Sequence, residues 1–114
     1  MRANLMSSTY THIANLLEKI PDIPADSIVS QTFYSDERVK AILFGFAAGQ
    51  ELSEHTASQP AILHILRGEA DLTLGGEGMA AQAGTWVHMP AQLPHSLYAK
   101  TPVLMLLLLF KRPK

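Results

Sequence analysis

Residues 49–68 read GQELSEHTASQPAILHILRG. One glycine opens the stretch and another closes it. Between them a polar run carries His55 and an apolar run carries His64. In an extended strand, residues i and i+2 share a face. His55, Ala57 and Gln59 are therefore expected to point one way if the strand stays regular, with Glu54 opposite. His64 lies three residues after Ala61 and is expected on the outward face, as a surface or subunit-contact histidine. A second glycine-led stretch, GTWVHMPAQLPHSLYA at 84–99, carries His88 and His95. Trp86 and His88 share one face of its first segment. That face is read as pocket lining, with a core position for Trp86 as the alternative.

Outward from these stretches the chain is a series of short apolar or alternating segments. They are SIVSQTFY, RVKAILFGFA, PAILHILR, EADLTLG, EGMAAQA, TWVHMP, HSLYA and VLMLLLLF. Glycine, proline and Ser35-Asp36-Glu37 separate them. Gly75-Gly76 is a two-residue hairpin signal, because both residues take positive φ at little cost. Many short strands at this spacing predict an all-β sandwich or barrel. VLMLLLLF, read alone, also suits a buried helix. Pro102 and Lys111-Arg112-Pro113 bound it tightly at eight residues, which favours a strand.

The N-terminal part differs. Ile13, Leu16, Leu17 and Ile20 recur at helical spacing, Thr9 or Thr11 caps the start, and Pro21 stops it. One short amphipathic helix is expected, carrying an exposed His12, followed by the stiff connector PDIPAD. The chain then divides into a helix and connector over 1–27 and a β-domain over 28–114.

Composition narrows the function. The 114 residues are 47% hydrophobic and 17% charged, which fits one globular domain with a real core. A formal charge of −1 supplies no broad field for nucleic acid or an anionic membrane. With no cysteine there is no disulfide, thiolate catalysis or cysteine-based zinc or iron–sulfur site. The longest apolar run has eight residues, against about 20 for a membrane-spanning helix. The start, MRANLMSSTYTH, lacks a signal-peptide pattern. A cytoplasmic protein is expected. Met79, Met89 and Met105 read as core fillers.

The two glycine-led stretches resemble the paired motifs of the cupin superfamily. The first motif runs Gly, five residues, His-x-His, three or four residues, Glu, six residues, Gly. Gly49, His55 and Gly68 match it in register. The second runs Gly, five residues, Pro-x-Gly, two residues, His, three residues, Asn. Gly84, Pro90 and His95 match it. The resemblance implies a small antiparallel jelly-roll barrel (a double-stranded β-helix). In metal-binding members two histidines and a glutamate of the first motif, with the histidine of the second, hold one divalent ion. This chain departs from the pattern. Ala57 replaces the second histidine, Ala61 the glutamate, Gln92 the glycine and Ala99 the asparagine. His55 and His95 remain as the metal positions. The expectation is no firm cofactor and at most a weak hold on a divalent transition metal.

The resulting expectation is a small-molecule-binding barrel with a reduced metal site and no assignable reaction. Its ligand pocket is assigned to His55, Gln59, Leu63, Trp86, His88 and His95. The alternative is a divergent metal-dependent enzyme of isomerase, dioxygenase or decarboxylase type using His55 and His95. A homodimer is expected, since one short helix cannot cover the outer faces of AILFGF and VLMLLLLF. Pairing through sheets is also what the resemblance implies. No nucleic-acid or membrane partner is expected.

Overall fold

The computed structural model describes residues 9–112. The ends of the two expected units, 1–8 and 113–114, lie outside the described residues. Nine strands follow a short N-terminal turn: β1 Ile28–Ser35, β2 Val39–Phe46, β3 Glu51–His55, β4 Ala61–Arg67, β5 Glu69–Leu74, β6 Glu77–Gln82, β7 Trp86–Met89, β8 His95–Ala99 and β9 Val103–Phe110. They form a five-stranded sheet ordered β1-β2-β9-β4-β7 and a four-stranded sheet ordered β3-β8-β5-β6. Every strand pairing is antiparallel. The two sheets face each other as a jelly roll, as expected. VLMLLLLF is the strand β9, paired on both sides by β2 and β4.

The core lies between the sheets. Phe46, Leu63, Ile65, Leu72, Leu97, Val103 and Met105 are almost wholly buried there. The outer faces differ. Glu51, Tyr98 and Asp71 lie side by side on the outside of the four-stranded sheet, where Lys100 pairs with Asp71 at 3.3 Å. The outside of the five-stranded sheet carries Ala41, Leu43 and Gly45 of β2 beside Leu108, Leu106 and Leu104 of β9. A strand apolar on both faces needs cover on both sides.

The N-terminal segment supplies part of that cover, but not as the expected helix. It makes a four-residue 3₁₀ turn, Leu16–Lys19, capped by Asn15, whose side-chain oxygen accepts the Leu17 N–H at 3.1 Å. Neither Thr9 nor Thr11 caps it, and His12 is exposed in irregular backbone ahead of the turn. A helix this close to Pro21 is too short to sustain itself in water. Packing holds the segment instead. Ile20 is buried against Leu43 and Leu104, with Leu16, Leu17 and Ile23 around them. Gly45 makes this approach workable, because a Cβ there would stand 2.9 Å from Cγ1 of Ile23. Gly68 serves a different contact. Its φ is +94°, and a Cβ would run into the carbonyl oxygen of Pro102. No helix among the described residues is long and apolar enough to cross a membrane.

Met79 departs from the core role expected of it. It lies on β6, the edge of the smaller sheet, and is 37% exposed.

Candidate ligand-binding site

His55 ends β3 and His95 begins β8, and the two are direct partners across that ladder. Their ring centroids are 4.1 Å apart, with the planes tilted by 58°. Each ring is anchored in the same way. Nδ1 of His55 lies 2.8 Å from the carbonyl oxygen of Ser53. Nδ1 of His95 lies 2.8 Å from that of Leu93. A carbonyl only accepts, so Nδ1 carries the proton in both rings. In the neutral ring the lone pair then sits on Nε2. Two imidazoles on different strands are thereby held in the same tautomer by their own backbone.

The pair borders two neighbouring pockets of the barrel, an inner and an outer lobe that share part of their lining. The inner lobe, of about 130 Å³, is bounded by Phe44, Leu52, Leu63, Leu72, Leu74, Met89, Leu97, Met105 and Leu107 together with Ser96 and the two histidines. The outer lobe, of about 160 Å³, adds Ala57, Gln59, Ala61, Pro90, Leu93 and Leu109. His55, His95, Met89 and Leu107 border both lobes. His55 is exposed on its outer side and His95 is half-buried.

Leu63 points inward from β4 into the inner lobe. Gln59 borders the outer lobe, but not by strand alternation with His55. Strand β3 ends at His55, and Ala57 and Gln59 stand in the connection to β4. Trp86 and His88 are not lining residues, which corrects that expectation. The β4–β7 register pairs Leu63 with Val87 and Ala61 with Met89. Inward parity therefore belongs to Val87 and Met89, and Trp86 projects outward, 57% exposed, with His88 exposed beside it. His64 is outward too, paired with Trp86 and Leu106. Met89, read as filler, borders both lobes; its place just before Pro90 was the available signal.

The connection to β4 is tied to the turn that delivers His95. Residues 90–93 form a turn in which the Leu93 N–H donates to the Pro90 carbonyl at 3.3 Å. Gln92 takes φ of +69° in it, the left-handed third position of a type II turn. This is the motif position where glycine is expected. The Gln92 N–H donates to the Ala57 carbonyl at 2.8 Å.

Gln59 also borders a wide polar basin with Ser35, Asp36, Arg38 and Lys111. Asp36 organises the β1–β2 turn there. It accepts from the Tyr34 hydroxyl at 2.6 Å and from the N–H groups of Arg38 and Val39 at 2.7 and 2.9 Å. The Tyr34 bond first, then the backbone bonds and the nearby Lys111 charge, lower its carboxyl pKa to about 2. The same contact raises the Tyr34 phenol.

The divalent ion that the family implies does not fit this donor set. Ala57 and Ala61 border the outer lobe beside His55 and His95, where a second imidazole and a carboxylate would complete the sphere. Among the described residues no three histidine, cysteine, aspartate or glutamate side chains are grouped to hold a metal. Transition-metal sites ordinarily use three or four protein ligands.

No curated protein matches the sequence. Among solved structures, a conserved protein of unknown function from Streptococcus pyogenes is similar with a TM-score of 0.81 and 29% identity, over 97% of this chain and 100% of that one. A cupin superfamily protein from Desulfitobacterium hafniense is similar with a TM-score of 0.81 and 24% identity, over 96% and 100% of the two chains. A salicylate 1,2-dioxygenase from Pseudaminobacter salicylatoxidans shares the fold alone, with a TM-score of 0.69 and 16% identity over 82% of this chain and 30% of that one. The cupin domain family model matches residues 42–110, which hold both motif stretches and eight of the nine strands in whole or in part. With the jelly roll and the paired motif histidines facing each other inside it, the chain belongs to the cupin superfamily.

Proposed function

We propose that this protein binds a small organic molecule in the barrel, with the His55–His95 pair as its polar anchor. The observation that carries this reading is the chemistry of the cavity wall. Its lining is apolar apart from Ser96, Gln59 and the two imidazoles, and the imidazoles border both lobes. Small-molecule sites ordinarily combine an apolar enclosure with a few placed polar groups. Mass spectrometry and elemental analysis of freshly purified protein test it. A copurified organic molecule without stoichiometric transition metal is expected. A stoichiometric transition metal overturns the reading.

The alternative, a divergent metal-dependent enzyme, has one observation in its favour. Anchoring Nδ1 on a carbonyl is the way metal-ligating histidines are commonly oriented. The same elemental analysis separates the two readings.

We further infer that two copies pair through the outer face of the five-stranded sheet. The N-terminal segment covers one end of that face. Val39, Leu106, Leu108 and Phe110 remain half-buried along an open groove, and Trp86 stands exposed on the same sheet. The face of the other sheet is polar, so the asymmetry points to one partner surface. A stable pairing buries about 800 Å² per subunit. Light scattering at micromolar concentration is expected to give twice the chain mass, and the mass of one chain overturns the pairing.

A further inference from the structure

We propose that the molecule held by His55 and His95 presents a neutral NH₂ group to them, as a compact arylamine or a primary amide does. The inference rests on the small-molecule reading above and names the ligand's chemistry.

Both Nδ1 hydrogens are already donated to the carbonyls of Ser53 and Leu93. What remains on each neutral ring is an acceptor at Nε2. The centroids are only 4.1 Å apart, so one small group can address both rings. The inner lobe offers no compensating side-chain donor. Ser96 borders it, but Leu97 pairs with the inward Leu72 and His95 with Leu74, so strand alternation turns the Ser96 hydroxyl to the outer face. The inner lobe is thus a double acceptor in an apolar enclosure, and Gln59, whose carboxamide both donates and accepts, borders only the outer lobe.

Each polar group can be matched against that arrangement. An ether, ketone or ester brings only lone pairs and leaves both nitrogens unpaired. A hydroxyl satisfies one ring as a donor and meets the second with a lone pair. A carboxylate sets negative oxygens against two acceptors. An ammonium brings donors but also a charge, and no carboxylate borders either lobe to compensate it. A neutral NH₂ supplies two N–H donors and no charge. The inner lobe, of about 130 Å³, is close to the roughly 150 Å³ apolar cavity that takes a benzene ring.

The test is calorimetric titration of the full-length, metal-stripped protein at pH 8 with four probes of one ring size: aniline, phenol, toluene and benzoate. The expected order is aniline, then phenol, then toluene, with no benzoate binding. Aniline should exceed toluene by about tenfold, from hydrogen bonds that toluene lacks. In His95→Leu the advantage of aniline over toluene should fall to near unity while toluene binding persists. Toluene equal to aniline, phenol tightest, or benzoate bound overturns the NH₂ assignment and leaves the small-molecule reading standing. So does a His95→Leu protein that keeps the preference for aniline. If none of the four probes binds, the assignment and the reading beneath it both fail. The order in the unmodified protein decides the matter even if the variant does not fold.

Discussion

The backbone N–H of Gln92 donates to the carbonyl of Ala57 at 2.8 Å, joining two positions at which this chain departs from its family's motifs. The bond fixes the connection that carries Ala57 and Gln59 against the turn that delivers His95. Gln92 makes it at φ of +69°, a conformation that is costly for a residue with a Cβ. Gln92→Gly relieves that strain and keeps the bond, because the donor is backbone. It should stabilise the protein by about 1 kcal/mol, after the larger unfolded-state entropy of glycine is deducted. Thermal melts of the two proteins check this, and a lowered melting temperature contradicts it.

Asp36 gives a pH signature. Its carboxyl is held at about 2, below its ordinary 3.8, first by the Tyr34 hydroxyl. A carboxyl depressed on folding stabilises the fold fully above its unfolded pKa and loses that contribution as pH falls through its folded pKa. Asp36→Asn should therefore melt lower than the native protein at pH 6. The gap should narrow below about pH 4 and close near pH 2. Because the turn is open to water, the gap should be modest. A gap that is constant from pH 6 to 2 would show that the carboxylate charge plays no part.

Gly45 and the N-terminal segment should be coupled. Ile20 is buried on the sheet, with Leu16, Leu17 and Ile23 partly so. Deleting residues 1–23 should cost about 2–4 kcal/mol in denaturant unfolding, from one full and several partial apolar burials. Gly45→Ala should cost about 1–3 kcal/mol in the full chain through the close contact with Ile23. In the truncated chain it should cost close to nothing. Additive losses would mean that the segment does not pack where it is described.

Trp86 is the single tryptophan and stands 57% exposed on the face assigned to pairing. If two copies meet there, its emission should shift to longer wavelength on dilution. Leu108→Glu, placing a charge in the half-buried groove, should give the long-wavelength spectrum at every concentration, with the mass of one chain by light scattering. Emission independent of concentration, with the mass of a dimer retained in Leu108→Glu, would place the interface elsewhere.

Most of the fold was legible because turn chemistry punctuates it. The eight segments cut out by Gly, Pro and Ser-Asp runs correspond to β1, β2, β4, β5, β6, β7, β8 and β9. Strand β3 was not separately legible. ELSEH has one strong apolar residue, and its strand lies at a sheet edge, exposed along most of its length. The motif spacing nevertheless placed His55 and His95, because register across two motifs is a stronger signal than any single strand. The parity of β7 was hidden. Trp86 and His88 make as plausible a pocket face as Val87 and Met89, and only the pairing with β4 decides between them. The helical spacing at 13–20 reported a real apolar face. It did not report length, which Pro21 and the packing on Gly45 restrict to one 3₁₀ turn.

Ala57 and Ala61 stand at the positions where two further metal ligands would close the sphere around His55 and His95. Calorimetric titration of Ala57→His/Ala61→Glu with nickel or zinc, alongside the unmodified protein, tests it most directly. Both alanines border the outer lobe with the two histidines, so the double variant should gain a four-ligand site. Its affinity should rise by at least about a hundredfold, since ligand number and geometry govern transition-metal affinity. Adding His95→Ala should remove most of the gain. Nanomolar affinity for either metal in the unmodified protein, or a double variant that binds no better, would contradict a site reduced to two ligands.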